Sequence, residues 1–250
     1  FGSAITEALR REPDRGAEFI RTPPTVSVVV PCYNQGLFLP DLIGSLIGGE
    51  TCLGSMPGQT FQDFEVVIVD DDSTDDTPRV CNELADAWKG IRVIDRPING
   101  GTAAANNTGI QAAFGRVITV ISANDMMEPH RLEMLYREWE QHAHDVTYDD
   151  VVDMVNGKRV RYRQMEEYDF RQQVPSNEMH PGIMFAKAAW QEVGGYPEKT
   201  QYGCENWAFN VALGLQGHRG RHVRSYGYIC RCGEQKPRVG ADRSGKPKTF

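Results

Sequence analysis

Apolar residues fall along this chain in short unbroken runs, each closed by polar residues and followed by a segment of helical spacing. Thr25–Pro31 (TVSVVVP), Val66–Val69, Ile91–Asp95 and Val117–Ile121 are such runs, rich in β-branched residues. A run without polar alternation predicts a strand covered on both faces, as in a parallel sheet between helices. Leu37–Ile47 places Leu37, Leu39, Leu42, Ile43, Leu46 and Ile47 along one side of a helix. Further helices are predicted from about Asp75 to Lys89, with Ser73 and Thr74 able to cap it, over Thr102–Phe114, and from His130 to His142. Strand and helix alternating at this spacing predict right-handed βαβ units. Gly48–Gly58 reads as a Gly-rich surface loop between the first helix and the second run.

The second half is less regular. Asp145–Tyr148 and Asp153–Val155 read as strands, Asn156-Gly157 as a hairpin turn and Lys158–Tyr162 as the returning strand. Glu178–Ala186 and Arg221–Tyr228 read as strands, Ala188–Val193 as a short helix closed by Gly194-Gly195, and Glu205–Leu215 as a helix. The fold class is α/β: a Rossmann-like, mostly parallel central sheet flanked by helices, followed by a smaller irregular half.

At 250 residues the chain can form one large α/β domain or two small ones. A net charge of −7 argues against non-specific nucleic-acid binding. No apolar run approaches the roughly 20 residues that span a bilayer, and Phe1–Arg21 is too polar for a signal peptide. The expected location is cytoplasmic, with membrane association through missing parts or partners left open. The chain starts without Met and ends in a basic stretch, Gln235–Lys248, so it reads as processed or excised from something longer. Its six cysteines are scattered, which fits reduced thiols better than a disulfide framework. Cys230-x-Cys232 has the wrong spacing for a zinc knuckle, and no second pair lies nearby.

The chemistry begins where the Val66–Val69 run stops at Asp70, Asp71 and Asp72. Three carboxylates cannot follow a buried strand into the core, so they belong at its carboxyl end, where open α/β sheets bind ligands. Asp71 is the better placed ligand residue. For Asp70, capping of the Ser73 turn and ligand contact stand side by side. The fourth run ends similarly, in Ser122-Ala123-Asn124-Asp125.

Five segments in order resemble the family-two glycosyltransferases of the GT-A fold: VSVVVPCYN (Val26–Asn34), QTFQDFEVVIVDDDSTDDT (Gln59–Thr77), NGGTAAANNTGI (Asn99–Ile110), GRVITVISANDMMEPHRLE (Gly115–Glu133) and VGGYPE…CENWAFNVAL (Val193–Leu213). The match covers about Val26 to Tyr228. The resemblance implies a single GT-A domain over 25–230, with a nucleotide-binding half (25–130) and an acceptor half (131–230), between a leader (1–24) and a C-terminal tail (231–250). It implies an inverting enzyme of polysaccharide biosynthesis that moves a sugar from a nucleotide diphosphate, UDP on family grounds, to a hydroxyl of a glycan or other acceptor. Other domains of a longer chain are the expected partners; nucleic acid is not. Pro31, Cys32, Tyr33, Asp71, Asn107, Ala123 and Asn124 fall at nucleotide-binding positions.

Three departures from the family pattern stand out. The Asp-x-Asp metal motif falls on Ser122-Ala123-Asn124, so Mg²⁺ or Mn²⁺ would be left to Asn124 and to Asp125 as a stand-in. The family's Glu-Asp pair falls on Glu205-Asn206, and Asn206, at the position of the general base, cannot take a proton at neutral pH. Asn106 replaces an Arg near the nucleotide. Three readings follow: a working transferase with Asp125 on the metal and Glu205 as base, a metal-independent enzyme in which Lys, Arg or His groups neutralise the diphosphate, or a weakened or non-catalytic GT-A domain that binds a nucleotide or glycan within a larger protein.

Other residues carry paired readings. His180 could contact the diphosphate or acceptor, or be a satisfied structural histidine. Trp207 and Trp190 could stack on a sugar or pack in the core. Asp149 and Asp150 read as a hairpin end or as an acidic pair near the donor or acceptor. His218, Arg219, Arg221, His222 and Arg224 form a basic cluster, read as a solvated edge or as pyrophosphate contacts. Pro31–Gly36 (PCYNQG) lacks the Gly-x-Gly-x-x-Gly of a dinucleotide-binding oxidoreductase.

Overall fold

The structure is a computed structural model that describes residues 23–142, 146–176, 179–199 and 203–233. In chain order the elements are β1 (Val26–Cys32), α1 (Leu39–Ile47), β2 (Gly49–Thr51), β3 (Gly54–Met56), β4 (Phe64–Asp70), α2 (Thr77–Ala87), β5 (Ile91–Asp95), α3 (Thr102–Ala112), β6 (Val117–Val120), β7 (Met126–Met127), α4 (Arg131–Gln141), β8 (Val146–Val155), β9 (Lys158–Arg163), α5 (Phe170–Gln173), β10 (Met184–Ala186), α6 (Lys187–Glu192), α7 (Glu205–Leu215) and β11 (Gly220–Arg231).

The four apolar runs become four neighbouring parallel strands in the order β5-β4-β1-β6. The side chains of β1, β4 and β6 are buried on both faces because helices cover both, which is what the unalternated pattern requires, whereas the edge strand β5 fully buries only Ile91. Helix α3 lies directly on β1 and β4. A Cβ at Gly109 would come within 2.5 Å of Val29 Cγ1 and 2.9 Å of Val69 Cγ2, so only glycine permits this approach. Glu65 is buried between strands, yet both its oxygens are used. Ser27 Oγ (2.6 Å) and the Phe114 amide (2.6 Å) donate to Oε1, and Arg92 Nε donates to Oε2 (2.9 Å).

Beyond β6 the sheet continues as β10-β8-β11-β7, with β9 paired to β8. Strands β10 and β7 run antiparallel to their neighbours, while β8 and β11 run parallel to each other. The Asn156-Gly157 turn joins β8 to β9 as expected, and both residues take positive φ (49° and 69°).

Several expectations change. Gly48–Gly58 is a two-stranded hairpin, Gly49↔Met56 to Thr51↔Gly54. Its tip residues Cys52 and Leu53 pack on buried Met126, Val152, Met154 and Ile229. Asp149 and Asp150 lie mid-strand in one continuous β8, because each carboxylate finds a buried partner. Helix α2 starts at Thr77, since the Thr74 and Asp75 amides are bonded to Asn34 Oδ1 (2.7 and 3.3 Å). Leu37 lies outside α1 and is exposed. The strand expected over Glu178–Ala186 is only Met184–Ala186; residue 178 lies outside the described residues. So do the leader up to 22 and the tail from 234. No helix of the described residues is long and apolar enough to cross a membrane.

Candidate active site

The carboxyl ends of β1, β4 and β6 open onto a cleft. From β1 and its loop come Pro31, Cys32, Tyr33 and Gln35; from β4, Asp71; from the α3 N-terminus, Gly101, Thr102 and Ala105; from the turn after β6, Ser122 and Asn124. The loops are fixed by side chains. The Asn34 amide donates to Ser73 Oγ (2.9 Å), and Asp70 Oδ1 accepts from the Ser73 amide (3.1 Å). Asp70 therefore caps its turn, and burial raises its carboxyl above the usual range.

Asp71 is buried but anchored. Its Oδ1 accepts from the Gly100 amide (3.1 Å) and faces Arg96 Nε (3.3 Å), and its Oδ2 accepts from the Gly101 amide (2.7 Å). A carboxylate offers about four acceptor positions, so about one is left for a donor in the cleft. Gly101, at φ 83°, is the residue before α3 and turns these amides toward Asp71. Gln35, Gly101, Thr102 and Ala105 were not singled out from the sequence. The usable signal was the Asn99-Gly100-Gly101 turn opening an Ala-rich helix, where small residues allow close approach.

Other expected site residues face elsewhere. Ala123 is buried in the hydrophobic core beneath the turn. Asn107 spends its amide on packing. Its Nδ2 donates to the Tyr196 carbonyl (2.9 Å) and Glu198 Oε1 (2.9 Å), while its Oδ1 accepts from Trp190 Nε1 (3.0 Å) and the Tyr196 amide (2.8 Å). Trp190 is thereby structural as well. Trp207 Nε1 donates to the Gln173 carbonyl (2.7 Å), tying α7 to α5. In the basic cluster, His222 is buried against Asp150 (2.7 Å) and stacks on Tyr148, and Arg224 pairs with Glu167 (3.0 Å).

Asp125 points away from the cleft. Tyr228 Oη donates to its Oδ2 (2.6 Å) and the Arg231 amide to its Oδ1 (2.9 Å). Burial, then Asp125 itself, raises the Tyr228 hydroxyl well above its usual range, so it stays a donor. The metal role expected of Asp125 is corrected: its oxygens hold the floor of the cleft to the last strand. Asn124 Oδ1 is buried and has no hydrogen-bond partner among the described residues. One uncharged oxygen and a serine hydroxyl are a poor donor set for Mg²⁺ or Mn²⁺, whose protein ligands are usually one or two carboxylates. The cleft residues do not fit a protein-held divalent metal.

His180 lies in a buried ionic cluster. Its Nδ1 accepts from the Gly182 amide (3.0 Å) and its Nε2 donates to Asp149 Oδ1 (3.0 Å), so the ring is a satisfied structural histidine. Arg131 Nη2 reaches the same oxygen (3.0 Å) and the Gly182 carbonyl. Burial works to raise the Asp149 carboxyl, but Arg131 and His180 outweigh it and hold it low. Burial lowers His180 below 6.5, against the pull of Asp149. Below pH 6.5 the unfolded chain therefore takes up a proton here that the folded chain does not, and stability falls with acidification. His180→Gln should shrink the loss of unfolding free energy between about pH 7.5 and about pH 5.5, read by urea denaturation. An unchanged loss would place the acid sensitivity elsewhere.

Glu205 and Asn206 open α7, and neither lines the cleft. Asn206 Nδ2 donates to Glu205 Oε1 (3.3 Å), and Asn206 Oδ1 is buried without a hydrogen-bond partner.

Fold and cleft together define an α/β domain with its candidate site at the carboxyl ends of parallel strands. The model of "Glycosyl transferase family 2" matches residues 27–211. The chain belongs to this family. Among curated proteins it is similar to glycosyltransferase GlyG of Streptococcus pneumoniae serotype 4, with 33% identity over 48% of this chain and 37% of that protein. It is also similar to the poly(ribitol-phosphate) beta-glucosyltransferase of Bacillus spizizenii, with 30% identity over 54% of this chain and 20% of that one. It thus spans well under half the length of these relatives. The fold is that of S. aureus TarS 1-349 in complex with UDP-GlcNAc (TM-score 0.69, 22% identity, 85% of this chain and 60% of that one). It is also that of the mannosyltransferase PcManGT from Pyrobaculum calidifontis, in complex with GDP-Man and Mn²⁺ (TM-score 0.62, 18% identity, 90% and 64%).

Proposed function

We propose that this chain is the donor-binding domain of an inverting glycosyltransferase that takes a sugar from a UDP-sugar to a hydroxyl of a glycan. The observation that carries the reading is the cleft. An apolar wall (Pro31, Cys32, Ala105) with Tyr33 suits a flat base, and the remaining acceptor position of Asp71 suits a base N–H. The α3 N-terminus on the same cleft favours an anionic group, since its first amides lack helical partners. An acceptor hydroxyl attacks the anomeric carbon as the nucleoside diphosphate leaves from the opposite side. Its proton passes to Glu205, the carboxylate next to Asn206, which holds the family's base position. No step in this reading uses a metal.

The test is calorimetric titration with UDP, GDP and dTDP, each with and without Mn²⁺, followed by assay for donor hydrolysis and transfer. Expected is binding of UDP with little gain from Mn²⁺. Asp71→Asn should weaken it about 10- to 100-fold, the worth of a hydrogen bond to a charged group. Failure to bind any of the three would overturn the donor-site reading, and a tenfold gain from Mn²⁺ would overturn its metal-free part. Binding without turnover would favour the non-catalytic alternative, to which the orphaned Asn206 oxygen also points.

A further inference from the structure

One cluster of sulfur and carboxylate has no part in the cleft. Cys230 and Cys232 alternate with Arg231 at the end of β11, so their side chains share the strand face opposite to it. Cys230 lies in register with Asp153 of β8, and the Cys232 amide continues the ladder to the Met154 carbonyl (2.7 Å). Both thiols and one Asp153 oxygen come within 4.8 Å of one another. The sequence shows two cysteines at an unpromising spacing; pairing with β8 supplies the third ligand type.

The two sulfurs are 3.7 Å apart. A tetrahedral Zn²⁺ with Zn–S bonds near 2.3 Å holds its sulfurs about 3.8 Å apart, so the pair already has the spacing of a tetrahedral edge. A disulfide would need the sulfurs at about 2.05 Å and the Cα atoms within about 6.8 Å. Two residues apart on an extended strand span nearly all of that distance.

A cation enters here only in exchange for thiol protons. Asp153 accepts from Arg161 Nε (2.7 Å) and Arg163 Nε (2.9 Å). With both thiols protonated, one carboxylate faces two guanidinium groups, a balance of one positive unit. A divalent cation that displaces two thiol protons leaves this balance unchanged. The guanidinium groups then orient the carboxylate and offset the thiolates, as outer partners of metal ligands do. Asp153 is buried and the cysteines are half-buried, which leaves the remaining coordination position to water.

We propose that Cys230, Cys232 and Asp153 form a site for a thiophilic divalent cation, with Zn²⁺ the best geometric match, that pins the end of β11 to β8. Binding makes two Zn–S bonds and one Zn–O bond and releases two protons to solvent. It does not depend on the donor-site reading.

The reduced, chelator-treated chain is titrated with Zn²⁺ against a chromogenic chelator, and with Co²⁺ while the thiolate-to-metal charge-transfer band is followed. Expected are one ion per chain, two protons released in weakly buffered solution, and a higher thermal midpoint. Cys230→Ser and Cys232→Ser should each weaken binding at least about tenfold and remove most of the band, with UDP titration and circular dichroism reporting on the fold. Cys52→Ser, which changes a thiol bonded to Arg231 near this end of β11, should leave both intact. No Zn²⁺ binding by the reduced wild type would overturn the proposal. So would an unchanged Co²⁺ band in the Cys230→Ser/Cys232→Ser double variant, or thiol counts showing a Cys230–Cys232 disulfide that forms in the presence of Zn²⁺.

Discussion

Glu205→Gln should lower the rate of sugar transfer by about 10²–10⁴, the usual worth of a positioned base, while UDP affinity stays within about twofold. The reasoning starts at the first turn of α7. Asn206 has an amide where the family pattern has an acid, so it cannot accept a proton. Its Nδ2 instead holds Glu205 Oε1 at 3.3 Å, which leaves Glu205 as the proton acceptor of this pair. The glutamine keeps size and hydrogen bonding and removes only basicity, and neither residue lines the nucleotide cleft. Single-turnover assays with saturating donor would therefore separate a lost base from lost binding. Asn206→Asp is the companion variant. It places a second carboxylate beside Glu205, and two adjacent acids raise one another's affinity for a proton. A gain of at least about tenfold would identify Asn206 as the vacated base position. If transfer survives Glu205→Gln undiminished, the base lies outside this pair.

Arg131→Met should cost about 3–5 kcal/mol of unfolding free energy, the usual result of removing one partner from a buried ion pair. Arg131 is fully buried, donates to both oxygens of Asp149 (Nε to Oδ2, 3.1 Å; Nη2 to Oδ1, 3.0 Å) and lies over the Tyr228 ring. Without it the Asp149 charge keeps, among the described residues, only His180 as a charged or polar side-chain partner. Burial holds that ring neutral, so it cannot neutralise the carboxylate. The double variant Arg131→Met/Asp149→Asn should regain much of the loss, since it removes the stranded charge and keeps a hydrogen-bond partner for His180. Urea denaturation of the three proteins decides the matter. Equal losses in single and double variants would mean that lost packing, not the uncompensated charge, sets the cost.

The parallel half of the fold was legible because burial on both faces leaves a sequence mark, and the Val26–Val30 and Val66–Val69 runs have no other explanation. Helix α7 was read to the residue, since a continuous apolar stripe and Glu at its first turn bound it. The second half was read less well. Strand β8 looks broken in the sequence because Asp149, Asp150 and Asp153 interrupt it, and their partners Arg131, His222, Arg161 and Arg163 lie on other elements. Arg131 itself was overlooked, although it shares the buried face of α4 with Leu135 and Trp139, an odd register for a cation. At the site, Pro31, Cys32, Tyr33, Asp71 and Asn124 do line the cleft. Asn107, Ala123, Asp125, His180 and Trp207 do not. A motif fixes a residue's place in the chain, whereas side-chain direction depends on neighbours such as Tyr196 and Tyr228 that no local pattern reveals.

The turn that floors the cleft is held from the other end of the domain. Asp125 is bonded to Tyr228 and to the Arg231 amide, over sequence separations of 103 and 106 residues. The βαβ units before it can associate from short-range contacts as the chain is made, and domains of this size generally acquire their amino-terminal parts first during synthesis. The floor of the cleft is therefore fixed late. Until β11 has emerged and inserted beside β8, Asp125 lacks its bonds to Tyr228 and the Arg231 amide, and a nascent chain released before Tyr228 lacks the tie that fixes the turn under the cleft. Ribosome-stalled chains of increasing length would show this as UDP binding that appears in one step, with the last strand.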